Sequence, residues 1–244
     1  MKIKAHSYIL KLMKGIVPFL VVGSSLGLLG AGLLGNASSA KPRLVPPALH
    51  DVSETTATQT AIFAGGCFWG VQGVFQHMNG VINATSGYAG GSALTATYDM
   101  VETGSTGHAE AVEVTFDPRE ISYGKLLQIF FSVVHDPTQV DRQGPDTGMQ
   151  YRSAIFATSA EQAKVATDYI AQLETADVFK AKIATTIERD KPFYRAEAYH
   201  QDFMVHNPAN PYIAFNEQSK IDDLARLFPQ FYREHPVPVS DHQG

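Results

Sequence analysis

Cys67 is the only cysteine in the 244-residue chain, and it stands in the run Gly65-Gly66-Cys67-Phe68-Trp69-Gly70 beside the only tryptophan. A lone cysteine excludes an intrachain disulfide and any zinc site built on several thiolates. Glycines ahead of a thiol permit a tight turn and let a second molecule approach the backbone. If Cys67 opens a helix, unpaired N–H groups and the positive dipole end favour its ionised form. That placement predicts a thiol pKa lowered from ~8.5 and a nucleophilic sulfur. The ordinary alternative is a buried, inert cysteine, which has no need of glycines on both sides. Three His–acid pairs also stand close in sequence: His108 with Glu110, His135 with Asp136, and His200 with Asp202. None has the i, i+4 helical spacing of a zinc protease, so no metal is expected.

The elements that must position these groups follow from periodicity. Residues 60–65 read as a short buried strand running into Gly65-Gly66, 67–78 as a helix, and 81–88 as a strand. Across 110–116, Ala111, Glu113 and Thr115 fall on one face and Val112, Val114 and Phe116 on the other, which predicts a strand. Ser122 caps a predicted helix through 135, with Leu126, Leu127, Phe130, Phe131 and Val134 as its apolar stripe. At its end a His135 cation would complement the dipole. Residues 151–157 read as a strand. Ser159 with Gln162 forms a capping box for a helix running toward Phe179. Residues 185–188 read as an edge strand, and 221–228 as a short amphipathic helix. This mixture predicts one α+β domain whose sheet is covered by helices. The polar loops 87–109 and 136–150 are long enough to be functional.

Charge and hydropathy divide the chain. Lys2, Lys4, Lys11 and Lys14 are followed by an uncharged, largely apolar stretch ending in Ser38-Ser39-Ala40, the order of a secretory signal peptide. Cleavage is expected after Ala40, and an uncleaved membrane anchor facing the periplasm is the alternative. From residue 41 onward 15 basic residues face 24 acidic ones, a net charge of −9, which disfavours nucleic acid. Residues 41–58, rich in Pro, Ser and Thr, read as an extended linker.

Beyond the pentapeptide, a series of blocks follows in order: Gly87-Tyr88-Ala89-Gly90-Gly91, Thr97-Tyr98, Gly104-Ser105-Thr106-Gly107-His108-Ala109-Glu110, His135-Asp136-Pro137, Arg142-Gln143-Gly144-Pro145-Asp146, Gln150-Tyr151-Arg152-Ser153 and Tyr199-His200-Gln201-Asp202-Phe203. In type and spacing they resemble the peptide-methionine (S)-S-oxide reductases over roughly residues 60–212. The resemblance implies Cys67 as nucleophile toward a sulfoxide sulfur and Glu110 as the acid that protonates its oxygen. Tyr98 and Tyr151 would hydrogen-bond that oxygen, Asp146 would orient the site and bind the substrate backbone, and Phe68 and Trp69 would receive the S-methyl group. Read from residue type alone, Glu110 is a solvated strand-end carboxylate, the tyrosines are half-buried packing, and Asp146 is a turn former.

The tail departs from the pattern of many members, since residues 207–216 carry no further cysteine. That looks like the single-cysteine subtype, which implies regeneration by an external thiol reductant, a thioredoxin-like protein or a small thiol. The expectation is therefore a monomeric, exported, bacterial periplasmic enzyme without bound cofactor that repairs oxidised envelope proteins or free methionine sulfoxide through a sulfenic acid on Cys67. Its fold would be a ferredoxin-like two-layer sandwich with a mixed or antiparallel sheet over 59–215, followed by a C-terminal extension over 216–244. A single-cysteine peroxidase is one rival and would need an arginine beside the sulfur, with Arg142 and Arg152 as candidates. A module that binds oxidised methionine without reducing it is the other.

Overall fold

The computed structural model describes residues 43–53 and 58–239. The expected leader over 1–40 lies outside the described residues. Strand β1 (Gln59–Gly65) enters helix α1 (Phe68–Gln76), which leads to β2 (Val81–Ala89). A short helix α2 (Tyr98–Val101) precedes β3 (Ala109–Phe116). Helix α3 (Tyr123–Ile129) continues as a π-type turn over Phe130–Val134. The two-residue strands β4 (Arg142–Gln143) and β5 (Asp146–Thr147) pair with each other ahead of β6 (Ser153–Ala157). Helix α4 (Ala160–Thr175) is followed by β7 (Thr186–Arg189) and β8 (Phe193–Arg195). The chain closes with α5 (Phe203–His206), a π-type turn over Ile213–Glu217, and α6 (Gln218–Leu227).

The main sheet runs β7-β6-β1-β3-β2-β8, antiparallel except for the parallel pair β6–β7. Its four central strands with α1 and α3 make a β-α-β-β-α-β unit. Strand alternation sorts the side chains. Ala61, Phe63, Val112, Val114 and Phe116 join the main core with residues of α1, α3 and α4. Ile62, Ala64, Ala109, Ala111, Ala154 and Phe156 form a smaller cluster on the opposite face, against Phe193. The period of two puts Glu110 on the same face as Val112, and the carboxyl is buried there.

Both predicted helix caps form: Ser122 Oγ accepts from Lys125 N at 3.2 Å and Ser159 Oγ from Gln162 N at 3.1 Å. The reciprocal half of the second capping box does not, because the Gln162 amide donates to Thr60 O across to β1. Helix α4 also stops at Thr175, short of the expected Phe179. His135 differs from expectation as well. Burial lowers its pKa to about 3, so it is neutral, with Nε2 2.7 Å from Ser153 Oγ.

Residues 43–48 are extended, as their composition predicts, yet they are pinned to the domain. Val45 is fully buried and its N–H donates to Ser132 Oγ, while Gln128 and Tyr169 donate to the carbonyls of Val45 and Pro46. Docking of this kind consumes backbone groups that a free linker would leave to water.

Candidate active site

Cys67 occupies the N-cap of α1 and is 7% exposed. The turn that presents it needs glycine at position 66, where φ is +92° and an added Cβ would stand 2.6 Å from the Gln143 side chain. Gln143 is itself fixed, since its amide accepts from Asp136 N at 3.1 Å and donates to Asp136 O at 3.0 Å. Loop 136–150 thus supports the turn from below.

The lowered thiol pKa expected at a helix start does not survive this environment. Burial pushes the Cys67 thiol well above its ordinary value, and the neighbouring Glu110 and Glu217 carboxylates push it the same way. The Trp69 backbone N–H and Lys220 oppose that shift without overcoming it. Desolvation outweighs the few N–H groups that a single helical turn supplies.

Glu110, on β3, reaches the same turn. Its Oε2 accepts from Phe68 N at 2.9 Å, next to the cysteine in the chain. Burial raises its pKa to about 8 despite that hydrogen bond, with Asp146, Glu102 and Glu217 adding repulsion. At neutral pH the site therefore holds two neutral, proton-bearing groups side by side: the Cys67 thiol and the Glu110 carboxyl.

Aromatic residues wall this pair. Trp69 stacks on Phe203 with ring centroids 3.7 Å apart, and its indole N–H donates to His200 Nδ1 at 3.2 Å. The His200 ring lies 4.9 Å from Phe68 and 4.5 Å from Tyr98. Because Nδ1 accepts, the neutral ring carries its proton on Nε2, which is buried without a hydrogen-bond partner. Tyr98 is placed by Glu197, which accepts its backbone N–H at 3.0 Å, and its hydroxyl donates to Glu102 at 2.8 Å. Tyr151 lies within electrostatic reach of Glu110, Asp146, Tyr98 and Cys67, and both phenols are held above their ordinary pKa, chiefly by burial. Asp146, on β5, accepts from the Tyr212 hydroxyl. All seven residues singled out from sequence, Cys67, Phe68, Trp69, Tyr98, Glu110, Asp146 and Tyr151, are drawn toward one site.

Sequence reasoning missed four others. His200 stood in a recognised block but was weighed only as a metal ligand. Tyr212, Glu217 and Lys220 come from the tail, where nothing local marks them. Glu217 is 3% exposed, pairs with Lys220 at 2.6 Å, and lies over α1 where a Cβ on Gly70 would be 1.4 Å from its Oε2. Gly70 is thus the place where the C-terminal segment meets the helix of the nucleophile.

The remaining candidates serve the scaffold. His108 Nδ1 accepts from Gly91 N at 3.2 Å, and its Nε2 lies 3.0 Å from Ser92 O. Arg152 pairs with Glu188 at 3.1 Å and donates to Gly107 O, while Arg142 donates to Gly144 O. Neither arginine is among the groups that dominate the Cys67 thiol's surroundings, where the cation is Lys220. Among the described residues, no three His, Cys, Asp or Glu side chains are grouped to hold a metal ion.

Comparison with known proteins places this geometry. The family model described as peptide methionine sulfoxide reductase matches residues 59–231. A peptide methionine sulfoxide reductase of Mesorhizobium japonicum is 56% identical over 189 residues, covering 78% of this chain and 97% of the relative. One from Synechocystis is 49% identical over 196 residues, covering 79% and 90%. Among solved structures, reduced Mxr1 of Saccharomyces cerevisiae aligns with a TM-score of 0.57 at 32% identity, covering 69% of this chain and 94% of the yeast chain. Methionine sulfoxide reductase A of Corynebacterium diphtheriae aligns with a TM-score of 0.54 at 31% identity, covering 69% and 93%.

Proposed function

The chain belongs to the peptide methionine sulfoxide reductase family, and from that premise we propose that it returns methionine S-sulfoxide, free or in proteins, to methionine by oxidising Cys67 to a sulfenic acid. The observation that carries this reading is the Glu110 carboxyl, protonated near neutrality and hydrogen-bonded to Phe68 N–H beside the sulfur. The substrate's S-methyl group packs against Phe68 and Trp69, since aromatic rings contact sulfur and methyl groups favourably. Its oxygen then faces Glu110 and the phenols of Tyr98 and Tyr151.

The Cys67 sulfur attacks the sulfoxide sulfur, forming a sulfur–sulfur bond. The sulfur–oxygen bond breaks, and the oxygen leaves as water with one proton from the thiol and one from Glu110. Water then attacks the Cys67 sulfur, the sulfur–sulfur bond breaks, methionine departs, and the Glu110 carboxylate recovers a proton. The result is a Cys67 sulfenic acid: the cysteine sulfur is oxidised and the methionine sulfur reduced. The chain holds no second cysteine, so the sulfenic acid is returned to a thiol by an external donor, a small thiol or a thioredoxin-like protein. Residues 1–40 export the protein, which repairs oxidised proteins of the bacterial envelope.

The test is methionine release from each sulfoxide epimer by residues 41–244 with dithiothreitol. The S epimer alone is turned over, and Cys67→Ser abolishes release while the far-UV spectrum is retained, because oxygen is too weak a nucleophile toward sulfoxide sulfur. Turnover by that variant contradicts the assignment.

A further inference from the structure

The cavity that reaches Cys67 has room for more than a single amino acid. It holds about 670 Å³, within the ~300–1,000 Å³ of sites that take drug-sized ligands. Asp146, the residue expected to bind the substrate backbone, stands on the same wall as Cys67. A methionine sulfoxide bound this way has its main chain in the cavity, and in a peptide its neighbours on either side follow it there. Two aromatic residues with exposed surface line the same space: Phe179, after α4, and Phe215, on the π-type turn over Ile213–Glu217.

Phe215 is the one exposed phenylalanine among the described residues, at 85%. A single exposed apolar side chain is ordinary by itself. This one stands on the wall of the cavity that ends at the nucleophile, and its turn is pinned at both ends. The Tyr212 hydroxyl donates to Asp146, Glu217 pairs with Lys220 at 2.6 Å, and the Asn216 amide donates to Tyr212 O at 3.1 Å. The ring is therefore held out on a fixed backbone, where covering it costs little further ordering. We propose, on the sulfoxide-reducing reading above, that Phe215 sets substrate preference: its ring receives an apolar side chain adjacent to the methionine sulfoxide in a peptide chain.

The other features of the wall leave this role to Phe215. Phe179 already carries the Arg43 guanidinium over its ring, 5.1 Å from the centroid. Charge does not make the choice, since Asp136, Glu217 and Asp223 on the wall are engaged by Thr138, Lys220 and Arg226. An apolar neighbour that covers the Phe215 ring removes both surfaces from water, a contribution that free methionine sulfoxide lacks. Methionines flanked by apolar residues are mostly buried in native proteins. The preference thus directs the enzyme toward oxidised chains that have unfolded. Phe215 touches no reacting atom, so its contribution belongs to binding and shows in KM rather than kcat.

The experiment uses the full chain with dithiothreitol and four N-acetylated tripeptide amides. Each has methionine S-sulfoxide in the middle, with leucine, serine, aspartate or lysine on both sides. The parent should favour the leucyl over the seryl peptide by about fivefold or more in kcat/KM. Phe215→Ala should bring that ratio to within about twofold of unity by raising KM for the leucyl peptide, and Phe215→Leu should keep most of the preference. A ratio unchanged in Phe215→Ala overturns the proposal. An equal loss on both peptides also overturns it, because it assigns the ring to the shape of the turn. So does a parent that shows no preference for leucine, or that favours the aspartyl or lysyl peptide. A parent that releases methionine from no peptide and from no free sulfoxide contradicts the proposed reaction itself, a separate failure.

Discussion

The division of labour between two buried protons governs the chemistry. Burial raises both the Cys67 thiol and the Glu110 carboxyl, so the resting site near pH 7 is neutral and holds both protons that the departing oxygen needs. The first-turnover rate should therefore be steady near pH 7 and fall as pH rises through about 8, where Glu110 loses its proton. Glu110→Gln should lower that rate by roughly 10²–10⁴-fold and remove the fall near pH 8. Single-turnover methionine release between pH 6 and 9.5 measures both, and a variant within a few-fold of the parent would assign the proton to Tyr98, Tyr151 or water. The same carboxyl affects stability. Its folded pKa lies above the ordinary value of 4.5, so the stability conferred by protonation is complete below about 4.5 and lost as pH rises through about 8. Urea unfolding should show a flatter pH dependence for Glu110→Gln across that window, and an unchanged slope would contradict the buried neutral carboxyl. The ordered blocks singled out Cys67, Glu110, Tyr98 and Tyr151, and the fold brings these groups within electrostatic reach of one another. The direction of the thiol pKa was not, because desolvation depends on distant chain packed around the sulfur.

At the scale of elements, periodicity carried far where the element was long. The alternation of β3 put Glu110 on the core face, and Ser122 and Ser159 capped their helices. Strand β8, three residues long, and the β4–β5 ladder, two residues a side, are too short to leave a periodic signal. The role of the C-terminal segment was hidden for another reason. Glu217 and Tyr212 act through contacts with Gly70 and Asp146, far away in sequence, and no local pattern encodes such a meeting. The contact makes Gly70 a sensitive position. Gly70→Ala places a methyl group on the Glu217 carboxylate and must displace either the buried pair with Lys220 or the first turn of α1. The expected cost is about 1–3 kcal/mol, or roughly 2–10 °C in Tm for a domain of this size. Thermal unfolding checks this, and an unshifted Tm would show that Glu217 is not anchored there.

At the scale of the whole molecule, the core sits under a helix-covered sheet whose strand order brings the end of β1, the start of β3 and the loop before β6 to one place, and the tail closes over it. Residues 43–53 run back along α3 and α4, so this segment is part of the folded domain. Composition hid this docking: the prolines and hydroxyl residues read as a linker. The exported protein should begin at Lys41, two residues before Arg43. Mass spectrometry of the secreted or periplasmic fraction checks that, and a chain retaining residues 1–40 in the membrane fraction would support an anchor instead. The account turns on one storage site for oxygen in the entire chain. Its most direct test is to mix the protein with excess methionine S-sulfoxide in the absence of any reductant and count the methionine released. One equivalent per molecule, accompanied by a sulfenic acid on Cys67 and followed by sustained turnover once thiol is added, is the predicted result. Several equivalents without reductant, or none, would contradict it.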